Sequence, residues 1–164
     1  MGVMDVPGTR AHMIFSFVAA STLARLMGLG AVWILVSGAA AITLDAVIDS
    51  GHEGCRRSAV THSIASAPAP LLTALIIVWL APLEGVALAA STLILLGMIM
   101  SASFLGHLLW DSLTINGIHV PWVGWVSLAH LESRGAAANA IPILFAILIA
   151  LLFWPVPSWI GRLV

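Results

Sequence analysis

The chain carries little charge. Only 8% of its residues are Asp, Glu, Lys or Arg, whereas 61% are hydrophobic and the mean hydropathy is +1.11. A soluble domain carries about 25% charged residues, because water contacts its whole surface. This composition excludes a water-soluble globular protein and indicates an integral membrane protein with the lipid bilayer as its main partner. The net charge of −1 gives no reason to expect a nucleic acid as a partner.

Cysteine is also nearly absent. A single cysteine, Cys55, excludes an internal disulfide, and we interpret it as a small loop residue. The 164 residues contain no internal repeat and no low-complexity linker. We therefore predict a single domain that covers residues 1–164.

Long apolar runs are abundant. Five of them occur, at approximately 13–27, 31–48, 61–80, 85–113 and 136–154. A helix needs roughly 17–25 residues to cross the hydrocarbon, so the last four segments qualify. The first segment is short, and we expect it to cross at a thin spot or to lie obliquely. The predicted fold is all-α, an integral membrane bundle of about five transmembrane helices.

Two details affect the predicted arrangement of the five segments. The first segment, preceded by Arg10, resembles a secretory signal, but we expect no cleavage because apolar character resumes almost at once. Pro68 and Pro70 remove helix donors, so we expect the third segment to be kinked or broken.

Eight of the 19 Asp, Glu, Arg and His residues fall in three short clusters, at 45–52, 56–63 and 106–112. Ionisable groups within membrane segments are costly and are functional by default. If all five segments cross, the starts of the first and third and the ends of the second and fourth share one membrane face. We therefore predict one polar site at that face, built from His12, Asp45, Asp49, His62, His107 and Asp111.

The spacing of these residues is typical of a metal site. Asp45 and Asp49 are four residues apart, so their carboxylates share one helix face, and His107 and Asp111 repeat this spacing. Facing helices with paired inward ligands build metal sites in helix bundles. Carboxylate and imidazole ligands suit a divalent metal, and we predict Zn, with Mn or Fe as alternatives. The six candidate ligands are enough to bind two metal ions.

Two arginines indicate the substrate. Guanidinium groups bind phosphate through two parallel hydrogen bonds, so Arg56 and Arg57 favour a phosphoester, and a site at membrane level favours a lipid. We assign Asp49, His62, Arg56 and Arg57 to the catalytic set, with water activated by the metal.

Several of these residues could have a structural role instead of a functional one. Asp49 and Arg57 could form an ion pair that closes a loop, and Asp45 could hydrogen-bond a neighbouring helix. Thr61 fits a helix cap. His52 could be a ligand or an exposed loop residue. We interpret two further histidines, His119 and His130, as non-ligands at the interface.

Three motifs carry a resemblance to a known family. They are Ile48-Asp49 with Gly51-His52-Glu53, Arg56-Arg57 with Thr61-His62-Ser63, and Gly106-His107 with Asp111 and Gly117. In this order they resemble the YdjM-type family of predicted membrane-bound metal-dependent hydrolases, in particular its archaeal-like branch. The likeness covers about residues 12–117. It implies a metal-dependent hydrolase whose polar core consists of the six residues named above, although the family often places its paired acids closer together than Asp45 and Asp49 are.

The sequence thus predicts a membrane-bound hydrolase of a phosphoester or phospholipid-like substrate. The alternatives are a metal or proton carrier, an assembly subunit that uses the same His/Asp cluster, or a scaffold with a degenerate site. Segments two to five have no ionisable residue in their distal halves apart from the terminal Glu84, which favours an enzyme over a transport pathway. Arginines at the motif face, including Arg10 and Arg134, favour a cytoplasmic position for that face in the plasma membrane.

Overall fold

The computed structural model describes residues 9–50, 57–80, 87–132 and 135–154. In these ranges the chain forms a helical bundle with one small β-hairpin. The elements in order are α1 (Thr9–Leu26), α2 (Ala31–Ser50), a 3-10 turn (Ile64–Ser66), α3 (Ala69–Leu80), α4 (Ala87–Ser112), β1 (Ile118–Val120), β2 (Gly124–Val126) and α5 (Ala136–Phe153).

Three of the described helices are long and apolar enough to cross a membrane. They are α2, the part of α4 from Ala90 to Ser112, and α5. The apolar stretch Ile64–Leu80 is shorter, and α1, which carries Arg10, His12 and Arg25, does not meet the same criteria. The structure is therefore compatible with a helical membrane bundle. Three helices of the described ranges qualify as membrane spans, whereas the sequence predicts five.

The first two helices extend beyond their predicted limits. Helix α1 begins at Thr9 and α2 continues to Ser50, so His12 and Asp49 lie inside helices. Hydropathy alone places a boundary where apolar residues stop. Here the helices continue through polar residues because those side chains face other helices.

The third segment is broken as its prolines predict. The chain before it forms turns, and Ser63 accepts a hydrogen bond from the backbone N–H of Ala65 at the start of the 3-10 turn. Helix α3 begins only at Ala69 and has 12 residues. Pro70 is tolerated there because the first turn of a helix has no internal acceptor for its N–H groups.

The β-hairpin was not predicted, and it modifies the all-α assignment. Strands β1 and β2 pair antiparallel, with Ile118 opposite Val126 and Val120 opposite Gly124. Gly117 precedes the hairpin with φ +62, and a Cβ at this position would overlap the carbonyl group of Val126. The hairpin packs against the end of α4 and against the 3-10 turn.

Helix α1 lies at the centre of the bundle and packs against α2, α4 and α5. Small residues allow the close approach of α1, α2 and α4, where Ala20, Ala24, Ala41 and Ile99 form a buried cluster. A Cβ at Gly38 would lie 2.6 Å from Cε2 of Phe17, so side chains of α1 pack directly on the backbone of α2 at this glycine.

The chain alternates between the two ends of the bundle. The start of α1 and the ends of α2 and α4 meet at one end, where rings of His12 and His107 lie 4.8 Å apart. At the other end, Nε1 of Trp154 donates to Oγ1 of Thr22 over 2.8 Å. We call the end with His12 and His107 the site end.

Candidate metal centre

All six predicted ligands lie at the site end. Helix α1 positions His12, α2 positions Asp45 and Asp49, and α4 positions His107 and Asp111, whereas His62 precedes the 3-10 turn. The structure buries all of them except Asp49, whose side chain is 15% exposed. Arg56 and His52, also singled out in the sequence, lie outside the described residues.

His107 stands at the middle of the cluster. Its Nδ1 atom lies 3.1 Å from Oδ1 of Asp45. Its Nε2 atom lies 3.2 Å from Oδ2 of Asp111 and 3.7 Å from Oδ1 of Asp49. The imidazole ring thus meets one carboxylate on one side and two carboxylates on the other.

Asp111 uses its two carboxylate oxygens differently. Nη2 of Arg57 donates to Oδ1 over 2.6 Å. Oδ2 faces two imidazoles, Nε2 of His107 at 3.2 Å and Nε2 of His62 at 3.5 Å. One oxygen is therefore held by the arginine, and the other is directed at the histidines.

Two of the facing atoms lack a hydrogen-bond partner. Nε2 of His107 and Oδ2 of Asp111 are buried and make no hydrogen bond within the described ranges, although they lie 3.2 Å apart. Buried polar atoms in proteins are nearly always satisfied, and an exception calls for an explanation such as an ion. A cation between an imidazole nitrogen and a carboxylate oxygen would satisfy both.

The spacing of the ligand atoms fits such an ion. Zinc binds nitrogen and oxygen at about 2.0–2.2 Å in tetrahedral geometry, which separates neighbouring ligand atoms by roughly 3.4 Å. The three distances around His107 and Asp111 are 3.2, 3.5 and 3.7 Å. Two overlapping groups, one with His12, His107 and Asp111 and the other with Asp49, His62 and His107, have their ligand atoms within 4.8 Å of one another. These buried His/Asp groups could hold a metal ion.

Each histidine of the second group has a hydrogen-bond partner at Nδ1, the ring nitrogen opposite the one that faces Asp111. Oγ1 of Thr61 lies 2.9 Å from Nδ1 of His62, and Asp45 holds Nδ1 of His107. Histidine ligands typically bond a carboxylate or another acceptor through the nitrogen opposite the metal, which orients the ring and selects its tautomer. Thr61 therefore contacts a candidate ligand instead of capping a helix.

Asp45, a predicted ligand, contacts a different atom of His107 from the other two carboxylates. Its Oδ1 lies at Nδ1, whereas Asp49 and Asp111 lie at Nε2. This matches the alternative in which Asp45 hydrogen-bonds a neighbouring helix. Its other oxygen, Oδ2, is buried without a partner in the described part of the chain.

Arg57 points into the protein. Besides Oδ1 of Asp111, it donates from Nη1 to the carbonyl oxygens of Gly117 over 2.7 Å and of Asp111 over 3.3 Å. Its side chain is only 8% exposed. The structure thus places Arg57 as a residue that positions Asp111, and the pairing of Arg57 with Asp49 does not occur.

His119 supports the site through its backbone. Its N–H donates to the carbonyl oxygen of His62 over 2.8 Å, and its ring lies 3.5 Å from Oγ of Ser63. The sequence did not predict this contact because it did not predict the hairpin. The available signal is the apolar–polar–apolar stretch Ile118-His119-Val120, which follows Gly117 and precedes Gly124.

Comparison with known protein families, with curated proteins and with solved structures finds no match for this chain.

Proposed function

We propose that this protein is a membrane-bound metal-dependent hydrolase that acts on a phosphoester of a lipid-like substrate. The observation that carries the proposal is the pair of buried atoms that face each other without a hydrogen bond, Nε2 of His107 and Oδ2 of Asp111, with further imidazole and carboxylate groups at metal-ligand spacing. The resemblance to the YdjM-type family points to the same activity. On this proposal the site faces the cytoplasm from the plasma membrane.

The candidate ligands form two overlapping groups that share His107, one with His12 and Asp111 and the other with Asp49 and His62. This mixture of imidazole and carboxylate suits Zn, with Mn or Fe as alternatives. A divalent ion bound here would lower the pKa of a coordinated water to about 7 and so supply hydroxide at neutral pH.

The residues of the chain then have distinct tasks. Arg57 holds Asp111, Asp45 and Thr61 hold the two histidines, and the hairpin holds the backbone of His62. Asp49 is the most exposed ligand, so water and substrate would approach from its side. Arg56 is left as the candidate for binding the phosphate.

A carrier function is the second candidate, and the position of the charges favours the enzyme. The buried ionisable side chains of the described residues lie at the site end. Arg25 lies at the opposite end, over the ring of Trp154 at 5.2 Å. A transport pathway would need ionisable groups between these ends.

Metal content and hydrolysis test the proposal together. Protein purified in detergent should contain a near-stoichiometric divalent metal and should hydrolyse a phospholipid or a phosphodiester when Zn, Mn or Fe is supplied. His107→Ala and Asp111→Ala should lose both properties, because each removes a ligand. His130→Asn is the matched control, since His130 is exposed and asparagine accommodates its φ of 54.

Two outcomes contradict the proposal in different ways. Full metal content in His107→Ala protein would show that the ligand assignment is wrong. A metal-loaded wild-type protein that releases no product from any of these phosphoesters would leave a metal site without hydrolase activity and would favour the carrier.

A further inference from the structure

A groove of about 340 Å³ runs along the bundle between α1, α4 and α5. At the site end it is lined by Phe15 and Gly106, and at the opposite end by Leu26 and Phe153. Between them its walls are mostly apolar, with the hydroxyl residues Thr22 and Ser103 as exceptions. Ligand sites are typically concave and apolar with a few polar groups, and this volume lies in their range.

The groove has the length of one membrane leaflet. Phe15 and Leu26 are separated by 11 residues of α1, which correspond to about 16 Å at a rise of 1.5 Å per residue. The hydrocarbon core of a bilayer is about 30 Å thick, so an acyl chain occupies about half of it. A chain that lies along the groove would extend from the level of Phe153 and Leu26, both exposed, to the level of Phe15 and Gly106.

Small residues create the space. Ala19 and Ala102 line the groove, and Gly106 contributes no side chain next to His107. A Cβ at Gly106 would lie 2.9 Å from Cε1 of Phe15, so the ring of Phe15 packs directly on this glycine and a larger residue here would fill the groove. Ala102 is exposed, which leaves the groove open to the surrounding lipid.

A second feature marks the site end of the groove. Ser103 lies one helical turn from His107 on the same face of α4, and its buried Oγ has no hydrogen-bond partner among the described residues. Ser16 repeats this arrangement one turn from His12 on α1. Of these two residues, Ser103 lines the groove, and its hydroxyl provides a donor just below the candidate metal centre that a purely apolar ligand would not need.

We propose that the groove binds one acyl chain of a glycerophospholipid, with the ester linkage at the level of Ser103 and the phosphate at the level of His107. One helical turn, about 5.4 Å, separates these two levels. A glycerophospholipid presents its chain, ester, glycerol and phosphate in the same order. That the bound lipid is the substrate rests on the proposed hydrolase function, whereas binding of the lipid does not.

Photocrosslinking tests the groove directly. The full-length, metal-loaded protein is placed in nanodiscs with a phosphatidylcholine analogue that carries a diazirine in its acyl chain, and the labelled residues are located by mass spectrometry. Labels should concentrate on the groove residues of α1, α4 and α5. Ala102→Trp should reduce this labelling by roughly tenfold, because the indole fills the space of the chain.

The controls separate filling of the groove from misfolding. Ala140→Trp places the same side chain on an exposed position of α5 outside the groove and should label as wild type. Ala19→Leu fills the groove with a smaller group and should also lose label. It takes the place of Ala102→Trp in the test if Ala102→Trp fails to fold. Metal content equal to wild type shows that a variant is folded.

Three results overturn the proposal. They are unchanged labelling in both groove variants, labelling spread evenly over the exposed faces of α2 and α5, and crosslinks from the groove to a second copy of the chain. Groove labelling without phospholipid hydrolysis would support the binding site and contradict only the hydrolase. Phospholipid hydrolysis with unchanged labelling would contradict only the groove.

Discussion

At the scale of single residues, the important distinction is between side chains that face the centre of the cluster and side chains that hold them. His107 meets Asp111 and Asp49 through Nε2 and Asp45 through Nδ1. A ring nitrogen that bonds a carboxylate makes the opposite nitrogen a better ligand. Asp45 therefore orients His107 and increases the basicity of its Nε2, whereas Arg57 orients Asp111 by holding its other oxygen.

Replacing Asp45 tests this distinction. Asp45→Asn keeps an acceptor for Nδ1 but removes the negative charge, so the metal dissociation constant should rise by about 10–100-fold. Asp111→Asn, which removes a ligand, should weaken binding more strongly. Competition with a chromogenic chelator measures both constants, with Glu132→Gln as a control at an exposed carboxylate. If Asp45→Asn and Asp111→Asn lose the metal to the same extent, Asp45 is a ligand, as the sequence predicts.

At the scale of elements, the hairpin connects two parts of the site that are distant in sequence. β1 hydrogen-bonds the backbone at His62 through His119, and the turn before it places the carbonyl oxygen of Gly117 on Arg57. The hairpin therefore fixes the loop before α3 against the end of α4. Local hydrogen bonds, such as those from the N–H groups of His62 and Ser66 to the carbonyl oxygens of Ser58 and Ser63, fold this loop on itself, and the hairpin attaches it to α4.

Gly117→Ala should weaken this connection. Its φ of +62 disfavours a side chain, and the added Cβ would overlap the carbonyl of Val126. We expect a loss of roughly 1–3 kcal/mol in stability, together with weaker metal binding because the acceptor of Arg57 moves. Thermal unfolding in detergent and metal titration measure the two effects. Gly30→Ala is the control, since nothing lies within 4 Å of the added Cβ there. Equal stability of the two variants would contradict a supporting role for the turn.

At the scale of the whole molecule, the candidate metal centre brings together segments from four parts of the chain at the site end. Its candidate ligands come from α1, α2, the loop before α3, and α4. An ion that binds only the folded chain stabilises it by mass action, by about 2.7 kcal/mol at a free concentration 100 times the dissociation constant. Without an ion, the cluster leaves buried polar atoms unsatisfied.

Chelation should therefore lower the unfolding temperature. EDTA should shift Tm downward by several degrees, and Zn added in excess should restore it. His107→Ala protein should start at the lower Tm and should not respond to EDTA, which distinguishes metal loss from a general effect of the chelator. A wild-type Tm that is insensitive to EDTA, in protein shown to have lost its metal, would contradict a structural contribution of the ion.

The sequence by itself determined the class of protein and the location of the cluster. Composition excludes a soluble domain, and the alternation of apolar segments places His12, Asp45, Asp49, His62, His107 and Asp111 at one end, which is where the structure brings them. The prolines predicted the break before α3. These properties depend on local composition, on residue spacing and on the parity of crossings, all of which can be read along the chain.

Only the tertiary structure decided which side of His107 each carboxylate occupies, that Arg57 is directed at Asp111, and that a hairpin holds His62. Asp45 and Asp49 have the same chemistry and share one helix face, yet they meet opposite nitrogens of the same ring. Such roles depend on distances of a few ångströms between residues as many as 62 positions apart. Those distances follow from how α1, α2 and α4 pack, and helical periodicity does not specify them.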